Sequence, residues 1–444
     1  MTTLSDQQDK CRKVVVEKIK DGQPLTTMTG FAGSGKSTIL PFILDTLGIA
    51  PETVAFVAPT GKAAKVMRTK LKAQGYPNTN AGTIHSSIYR AKPAPISQLE
   101  TDLENHREAL SEAMYILAMD GGDPDKDQHI FTQRKLITRL EAELSAAYRE
   151  DKINFQLNPD SAIQLASLIV VDEASMVGRR MTDDLMEFGV PIFAMGDPGQ
   201  LPPVEDSAGL LANDPDFFLS EIHRQAKDNP IIHLSTLARE GKDLPYRDYG
   251  SGVKVMRRQE YEEVFDFEDR PQFIVGRNKT RWNTNQQLRS EFGFVEYPGE
   301  RVGPQKGEPL MIRKNVRDNP DLTNGTEVTS IKDVSFTKGD ATFMGSFQEE
   351  SGVEHHDKMM FQGMFEEHFS RTPKGYTAPE QKAWRALKNS IVADWAYAIT
   401  CHASQGSQWK DVVVIDESGC FRADEDKWLY TAVTRAAETL TVLR

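Results

Sequence analysis

Short apolar runs alternate with amphipathic stretches along most of this chain. Pro24 to Thr29, Thr53 to Ala58, Leu168 to Val171 and Pro191 to Met195 are apolar enough to be strands buried on both faces. Between them Ser37 to Leu47 and Lys62 to Gln74 carry helical periodicity, the second with a basic face of Lys62, Lys65, Arg68, Lys70 and Lys72. Strand–helix alternation of this kind predicts a parallel sheet covered by helices. The pattern starts again at Gln272 to Val275 and the helix Arg281 to Phe292. It closes with Trp395 to Cys401, Val412 to Ile415, the helix Lys427 to Ala436 and Thr439 to Leu443. Two stretches break it. Glu100 to Met119 and Gln133 to Glu150 read as polar amphipathic helices around Asp120-Gly121-Gly122-Asp123-Pro124, which predicts an inserted helical hairpin. Gly299 to Thr377 holds strand candidates at Glu327 to Val334 and Ala341 to Phe347, joined by Lys338-Gly339-Asp340, which predicts a small β insertion. The predicted plan is α/β. One lobe spans 1–92 and 159–220, with the hairpin at 93–158; a second spans 221–298 and 378–444, with the β insertion at 299–377.

Composition narrows this picture only slightly. A chain of 444 residues is long for one core, so several domains are expected. The net charge of −12 argues against an indiscriminate basic coat for nucleic acid, and leaves a locally basic channel open. Cys11, Cys401 and Cys420 are scattered and give neither a disulfide framework nor zinc spacing. The longest apolar runs fall far short of the ~20 residues that span a bilayer. Met1 to Lys20 is polar, without the apolar core of a secretion signal, so a cytoplasmic location and no membrane partner are expected.

The candidate chemistry starts at Gly30-Phe31-Ala32-Gly33-Ser34-Gly35-Lys36-Ser37, which fits G-x-x-x-x-G-K-[ST] between a strand and a helix. Its glycines let backbone N–H groups converge on an anion, and the new helix points its positive end at the same place. Gly33, Ser34, Gly35, Lys36, Ser37 and Thr38 are therefore candidate contacts for the phosphates of an NTP, with Lys36 on the β/γ-phosphates and Ser37 on Mg²⁺. Asp172 and Glu173 end an apolar strand where they would face that loop, Asp172 holding Mg²⁺ and Glu173 deprotonating the attacking water. Gly196 to Val204 reads either as a Pro-rich turn or as a γ-phosphate sensor. Its place one strand after the acids favours Gln200 as the sensor.

Taken in order, these motifs resemble the superfamily 1 helicases, in particular the 5′-to-3′ branch (superfamily 1B) that holds the phage Dda, RecD and Pif1-like enzymes. The resemblance runs through Gly30 to Ser37, Ala58-Pro59-Thr60-Gly61-Lys62, Thr83-Ile84-His85, Asp172-Glu173-Ala174-Ser175 and Gly196 to Val204. It continues through Arg224, Thr400-Cys401-His402-Ala403-Ser404-Gln405-Gly406 and Tyr430 to Ala436. It implies two RecA-like lobes, with the hairpin as a strand-separating wedge and an SH3-like β insertion. It also implies that Gln8 reads adenine and that Arg224 and Arg435 reach the γ-phosphate from the second lobe. Spacing alone does not choose these two arginines. Pro59, Thr60, Lys62, Thr83, His85, Thr400, His402 and Ser404 would line a path for the nucleic-acid backbone. Ser404 stands where the family usually has lysine. Tyr89, Trp395 and Trp409 are candidates either for base stacking or for core packing.

The activity so implied is ATP-driven 5′-to-3′ movement on single-stranded DNA with duplex separation at a single-strand/double-strand junction. A monomer working with replication or single-strand-binding proteins is expected. A P-loop motor that packages or loads nucleic acid without unwinding is the alternative, and a small-molecule kinase fits the paired distant arginines poorly. The Glu349-Glu350 and Glu366-Glu367 pairs read as solvated faces or a partner site, and His355-His356 lacks metal-ligand spacing.

Overall fold

Leu25–Gly30 (β1) is buried at every position after the first and lies one strand in from an edge of the first sheet. The computed structural model describes residues 4–76, 81–91, 95–119, 122–150, 155–203, 206–221, 229–262, 270–294, 303–316, 319, 322–335, 340–366, 386–387 and 389–444. After β1 come Val54–Ala58 (β2), Gly82–Thr83 (β3), Tyr89–Ala91 (β4), Phe155–Leu157 (β5), Leu168–Val171 (β6), Ile192–Gly196 (β7) and Phe217–Leu219 (β8). Six of these form one sheet in the order β3-β2-β6-β7-β1-β8, parallel throughout. Met28, Phe56, Val170 and Phe193 of its strands pack on Ile39, Ile43, Met67 and Leu71 of the helices Lys36–Leu47 and Gly61–Ala73.

The second sheet takes Arg247–Gly250 (β9), Val253–Met256 (β10) and Gln272–Val275 (β11). It is completed near the C-terminus, after Pro309–Ile312 (β12), Glu327–Ser330 (β13), Thr342–Glu349 (β14), Glu354–Phe361 (β15) and Ala393–Trp395 (β16). The completing strands are Ala398–Thr400 (β17), Trp409–Ile415 (β18) and Ala436–Leu443 (β19). Its order is β17-β11-β18-β19-β10-β9, parallel except for the edge hairpin β9–β10. The insertion is a five-stranded antiparallel sheet, β15-β14-β13-β12-β16, and a bridge from Met360 to Ile391 draws its two edges together. It shares one core with the second parallel sheet: Phe347, Leu310, Trp395 and Val328 pack with Phe273, Val275 and Val413.

The insertion differs here from the sequence-based expectation. The run expected as one strand, Trp395 to Cys401, is divided between two sheets. β16 pairs antiparallel with β12, and β17 pairs parallel with β11. The sheet therefore recruits 393–395, well beyond the boundary at 377. The β12 ladder holds this strand on the insertion, while its Asp394, buried at 1% exposure, pairs with Arg281 of the second-lobe helix Asn278–Glu291. β12 and β15 had no counterpart among the expected strands. Glu354-His355-His356-Asp357-Lys358 is too polar to advertise a strand, because that face of β15 is exposed.

Residues 89–158 belong to a separate compact unit. Its helices, Pro95–Met119 and Gln128–Glu150, begin about one turn earlier than the periodicity suggested and close on a seam of Leu103, Leu140 and Leu144. Burial pushes the thiols of Cys11 and Cys401 up to about 12, so both are inert packing residues. Among the described residues no helix is long and apolar enough to cross a membrane.

Candidate active site

The Gly30–Ser37 loop leaves the C-terminal end of β1 between β7 and β8, at the edge where parallel sheets hold ligands. A Cβ on Gly30 would lie 2.6 Å from Ser34 Oγ and 2.8 Å from Leu219 Cβ, so only glycine allows the loop to turn there. Gly35 takes φ +80°, which turns the chain directly into the helix Lys36–Leu47. Lys36 Nζ donates to the carbonyls of Gly30 (2.5 Å) and Phe31 (3.1 Å), which holds its charge over the loop. Ser34 is buried at 2% exposure and its Oγ has no hydrogen-bond partner. Ser37 Oγ accepts from Lys70 Nζ at 3.4 Å, and the Thr38 amide donates to the Gly35 carbonyl.

Gln8 is also at the loop, in a role the sequence did not suggest. Its Oε1 accepts from the Ser5 amide (3.0 Å) in a capping box, and its Nε2 donates to the Ser34 carbonyl (3.4 Å). The glutamine ties the first helix to the back of the loop.

Asp172 and Glu173 follow β6 as expected. The Glu173 amide donates to Asp172 Oδ1 at 2.9 Å, and Glu173 takes a left-handed conformation with φ 54°. Dense surroundings push the Glu173 carboxyl up from its ordinary range, and the neighbouring Asp172 adds to this, while Arg435 and Lys36 pull it down. A carboxyl so poised suits a general base. Asp197, fully buried one strand away, accepts from the Gly199 amide (3.0 Å), from Tyr430 OH (2.7 Å) and, at 3.5 Å, from Gln200 Nε2. Gln200 is buried and its Oε1 has no partner.

The second lobe enters this site directly. Tyr430, on the helix Glu425–Val433, accepts a hydrogen bond from the Ala32 amide of the loop at 3.0 Å, across 398 residues of sequence. Arg435 is buried at 4% exposure. Its guanidinium donates to the carbonyls of Thr431 (2.9 Å), Ser407 (3.1 Å) and Ser404 (3.4 Å) and to Thr434 Oγ1 (3.0 Å), close enough to act on Glu173. Arg239, which no motif marked, stacks its guanidinium 3.5 Å over the Phe31 ring. Arg224 lies outside the described residues. The chain before it is described to Glu221, whose amide donates to Gln7 Oε1 at 2.9 Å. Asp197 and Tyr430 fell inside Gly196 to Val204 and Tyr430 to Ala436 but without a role, and Arg239 fell in no motif, because such residues have no signature without their partners.

The residues expected on a nucleic-acid path divide into several kinds. Thr60, Thr83 and Thr400 cap helix starts, accepting from the amides of Ala63, Ser86 and Ala403. Pro59 sits half-buried in the turn before Thr60. His85 and His402 are partly buried, and that burial lowers both imidazoles below their ordinary range, so they are neutral at pH 7. Ser404 is a correction: its side chain is wholly buried and donates to the Cys401 carbonyl at 2.7 Å, so it is turned away from any solvent-side strand. Lys62 is engaged by an ion pair with Glu327 and lies 4.5 Å over the Trp409 ring, while Trp409 Nε1 donates to the same glutamate at 3.0 Å. Trp395 is a core residue at 1% exposure and cannot stack a base. Glu349 is likewise no solvated face; it is buried between Lys65 (3.0 Å) and His355 (2.9 Å).

Among the described residues no cluster of three or more His, Cys, Asp or Glu side chains forms a metal cage. The Ser37 hydroxyl and the Asp172 carboxylate are nonetheless the donor set Mg²⁺ takes when phosphates and water supply its remaining ligands. The unpartnered Ser34 hydroxyl and the glycine-lined loop also fit a polyphosphate.

Comparison with known proteins matches this geometry. A family model described as an AAA domain matches residues 3–257, and one described as a UvrD-like helicase C-terminal domain matches residues 395–443. The ATP-dependent DNA helicase dda of Enterobacteria phage T4 is 25% identical over 248 residues, 54% of this chain and 43% of the relative. The ATP-dependent RecD2 DNA helicase of Deinococcus radiodurans is 39% identical over 74 residues, 15% of this chain and 10% of that protein. The chain thus spans less than half the length of these curated relatives. Pif1 helicase from Bacteroides, solved with ADP-AlF3 and ssDNA, superposes with a TM-score of 0.50 at 14% identity, over 100% of this chain and 92% of that one, and so shares its fold. These matches bear out the resemblance to superfamily 1B and the mixed α/β architecture of RecA-like lobes.

Proposed function

The chain belongs to the AAA-domain family, and from that premise we propose that it is an ATP-dependent DNA helicase moving 5′ to 3′ on single strands. The observation that carries this reading is the loop-to-Tyr430-to-Asp197 chain, because it builds one nucleotide site from both lobes. A nucleotide bound there would be felt as movement between them. The names of the relatives supply DNA as the substrate.

In this reading the loop amides and Lys36 cradle the phosphates, and Ser37 and Asp172 hold Mg²⁺, which supplies charge neutralisation at the transferring phosphoryl group. Glu173 takes the proton of the attacking water, and Gln200 orients that water. Arg435 would face the γ-phosphate in exchange for its present bonds to the Thr431, Ser404 and Ser407 carbonyls and Thr434 Oγ1, and Arg224 would join it. Thr60, Thr83, His85, Thr400 and His402 contact the DNA backbone. Lys62 joins them only by leaving Glu327. The curled antiparallel sheet is read as SH3-like and the hairpin as a wedge. Gln8 reads adenine from its place beside the loop.

The deciding experiment measures ATP hydrolysis with and without single-stranded DNA, for the protein and for Lys36→Ala, then unwinding of 5′-tailed and 3′-tailed duplexes in DNA and RNA. Lys36→Ala should lower DNA-stimulated hydrolysis by about 10²-fold or more. Retained hydrolysis would refute the site. Stimulated hydrolysis without strand separation on any substrate would instead give a packaging or loading motor.

A further inference from the structure

Gln200 has an amide whose two ends are chemically opposite, and only one of them can serve an attacking water as acceptor. The structure contains a device that selects that end. Asp197 lies beside Gln200 with no surface exposed, and a carboxylate only accepts hydrogen bonds. It therefore takes the NH₂ end of Gln200, at 3.5 Å, and leaves Oε1 as the uncommitted acceptor. The orientation of Asp197 is itself imposed. Its Oδ1 accepts from the Gly199 amide and its Oδ2 from Tyr430 OH. The proton direction is fixed as well: the Ala32 amide can only donate to the phenol, so the phenol must give its own proton to Asp197. The order of donation runs from the phosphate loop, through a side chain of the second lobe, to the residue that holds Gln200.

Tyr430 is anchored where it stands. It is 1% exposed, in a helix whose Trp428, Leu429 and Val433 lie in the core of the second lobe. The backbone beyond Gln200 is held from the same side, with the Leu201 amide donating to Thr431 Oγ1 and Gln405 Nε2 donating to the Leu201 carbonyl, each at 3.0 Å.

We propose that Tyr430 is a positioning residue that fixes the orientation of the Gln200 amide through Asp197, so that the water-orienting oxygen is set only while the second lobe is seated on the phosphate loop. This rests on the reading of the site as an ATPase. It makes hydrolysis conditional on lobe contact, a coupling that a glutamine anchored wholly within the first lobe would lack.

The test uses Tyr430→Phe, Asp197→Asn and the double variant of the full chain. Tyr430→Phe keeps the ring and removes only the hydroxyl. DNA-stimulated kcat should fall about tenfold, as for loss of a residue supporting a contact group, with KM for ATP within about twofold. The double variant should be no slower than Asp197→Asn alone. Amide hydrogen exchange of the nucleotide-free protein gives a second readout: Gly199 to Leu201 should exchange faster in Tyr430→Phe. An unchanged kcat, additive losses in the double variant, or unaltered exchange would each overturn the proposal. If the unaltered protein hydrolyses no ATP, the ATPase reading fails. The exchange measurement then still decides whether Tyr430 holds this segment.

Discussion

Glu173 is where burial and charge oppose each other most directly. Its carboxyl is held above the ordinary value of 4.5, first by dense surroundings and then by Asp172. Below 4.5 both the folded and unfolded chains carry the proton. Between 4.5 and the raised native value only the folded state does, so rising pH removes stability across that window. Glu173→Gln should therefore melt at a higher temperature than the unaltered protein at pH 8, and the difference should vanish below pH 4.5, as checked by calorimetry across pH. In the proposed mechanism the same substitution removes the general base, and kcat should fall by about 10²–10⁴-fold. In the unaltered enzyme the acid limb of the pH–rate profile should lie above 4.5, because hydrolysis needs the ionised form. Lys36 and the acids were legible as residues, since their spacing is tied to a strand end. The engagement of Arg435 with backbone carbonyls was not, because only folding brings Ser404 and Ser407 to it.

The helix Gly61–Ala73 has a basic face, and the sequence offers no hint that much of this face is spoken for. Lys62 and Lys65 pair with Glu327 and Glu349, both on strands of the insertion. In the proposed reading these carboxylates compete with DNA phosphate for the two lysines. Glu327→Gln should release Lys62, tighten binding of a single-stranded oligonucleotide at low salt, and steepen its salt dependence by about 0.7 in log–log slope. A titration at several salt concentrations reads this directly, and Lys62→Ala should abolish the gain. A second pair fastens the insertion to the second lobe. Arg289 and Glu308 are 2% and 0% exposed, bonded at 2.7 Å, with Tyr397 OH and the Gln305 amide on the same carboxylate. Glu308→Gln leaves an uncompensated buried guanidinium and should cost about 3–5 kcal/mol, read as a lower denaturant midpoint. Strand count within the insertion was only half legible. β13 buries Val328 and Ser330 and β14 buries Phe343, Gly345 and Phe347 at alternate positions, whereas the exposed face of β15 is polar enough to read as loop.

At the scale of the whole molecule the inner strands of the two parallel sheets were legible, because strands buried on both faces leave uninterrupted apolar runs, whereas β3, β8, β9 and β10 were not. Their boundary with the insertion was not. β16 and β17 are separated only by Ala396 and Tyr397, and an apolar run gives no sign that it changes sheets midway. The Gln272 amide pins that junction, donating to the carbonyls of Ala396 and Tyr397 at 3.1 Å each. Excising 299–377 would remove β12 to β15 and strand β16 without a sheet. Such a variant should express as an aggregate, whereas point changes on the insertion surface should not, as size-exclusion chromatography would show.

The short β16–β17 join also has a mechanical meaning. A pull on the antiparallel sheet arrives at Thr400 through two residues already clamped by Gln272, with no slack linker to absorb it. The insertion and the helix start at Thr400 are then links in series, and a load met by one is borne by the other at nearly full strength. A tether on the insertion held against a moving strand should slow this protein as effectively as one placed on the lobe itself.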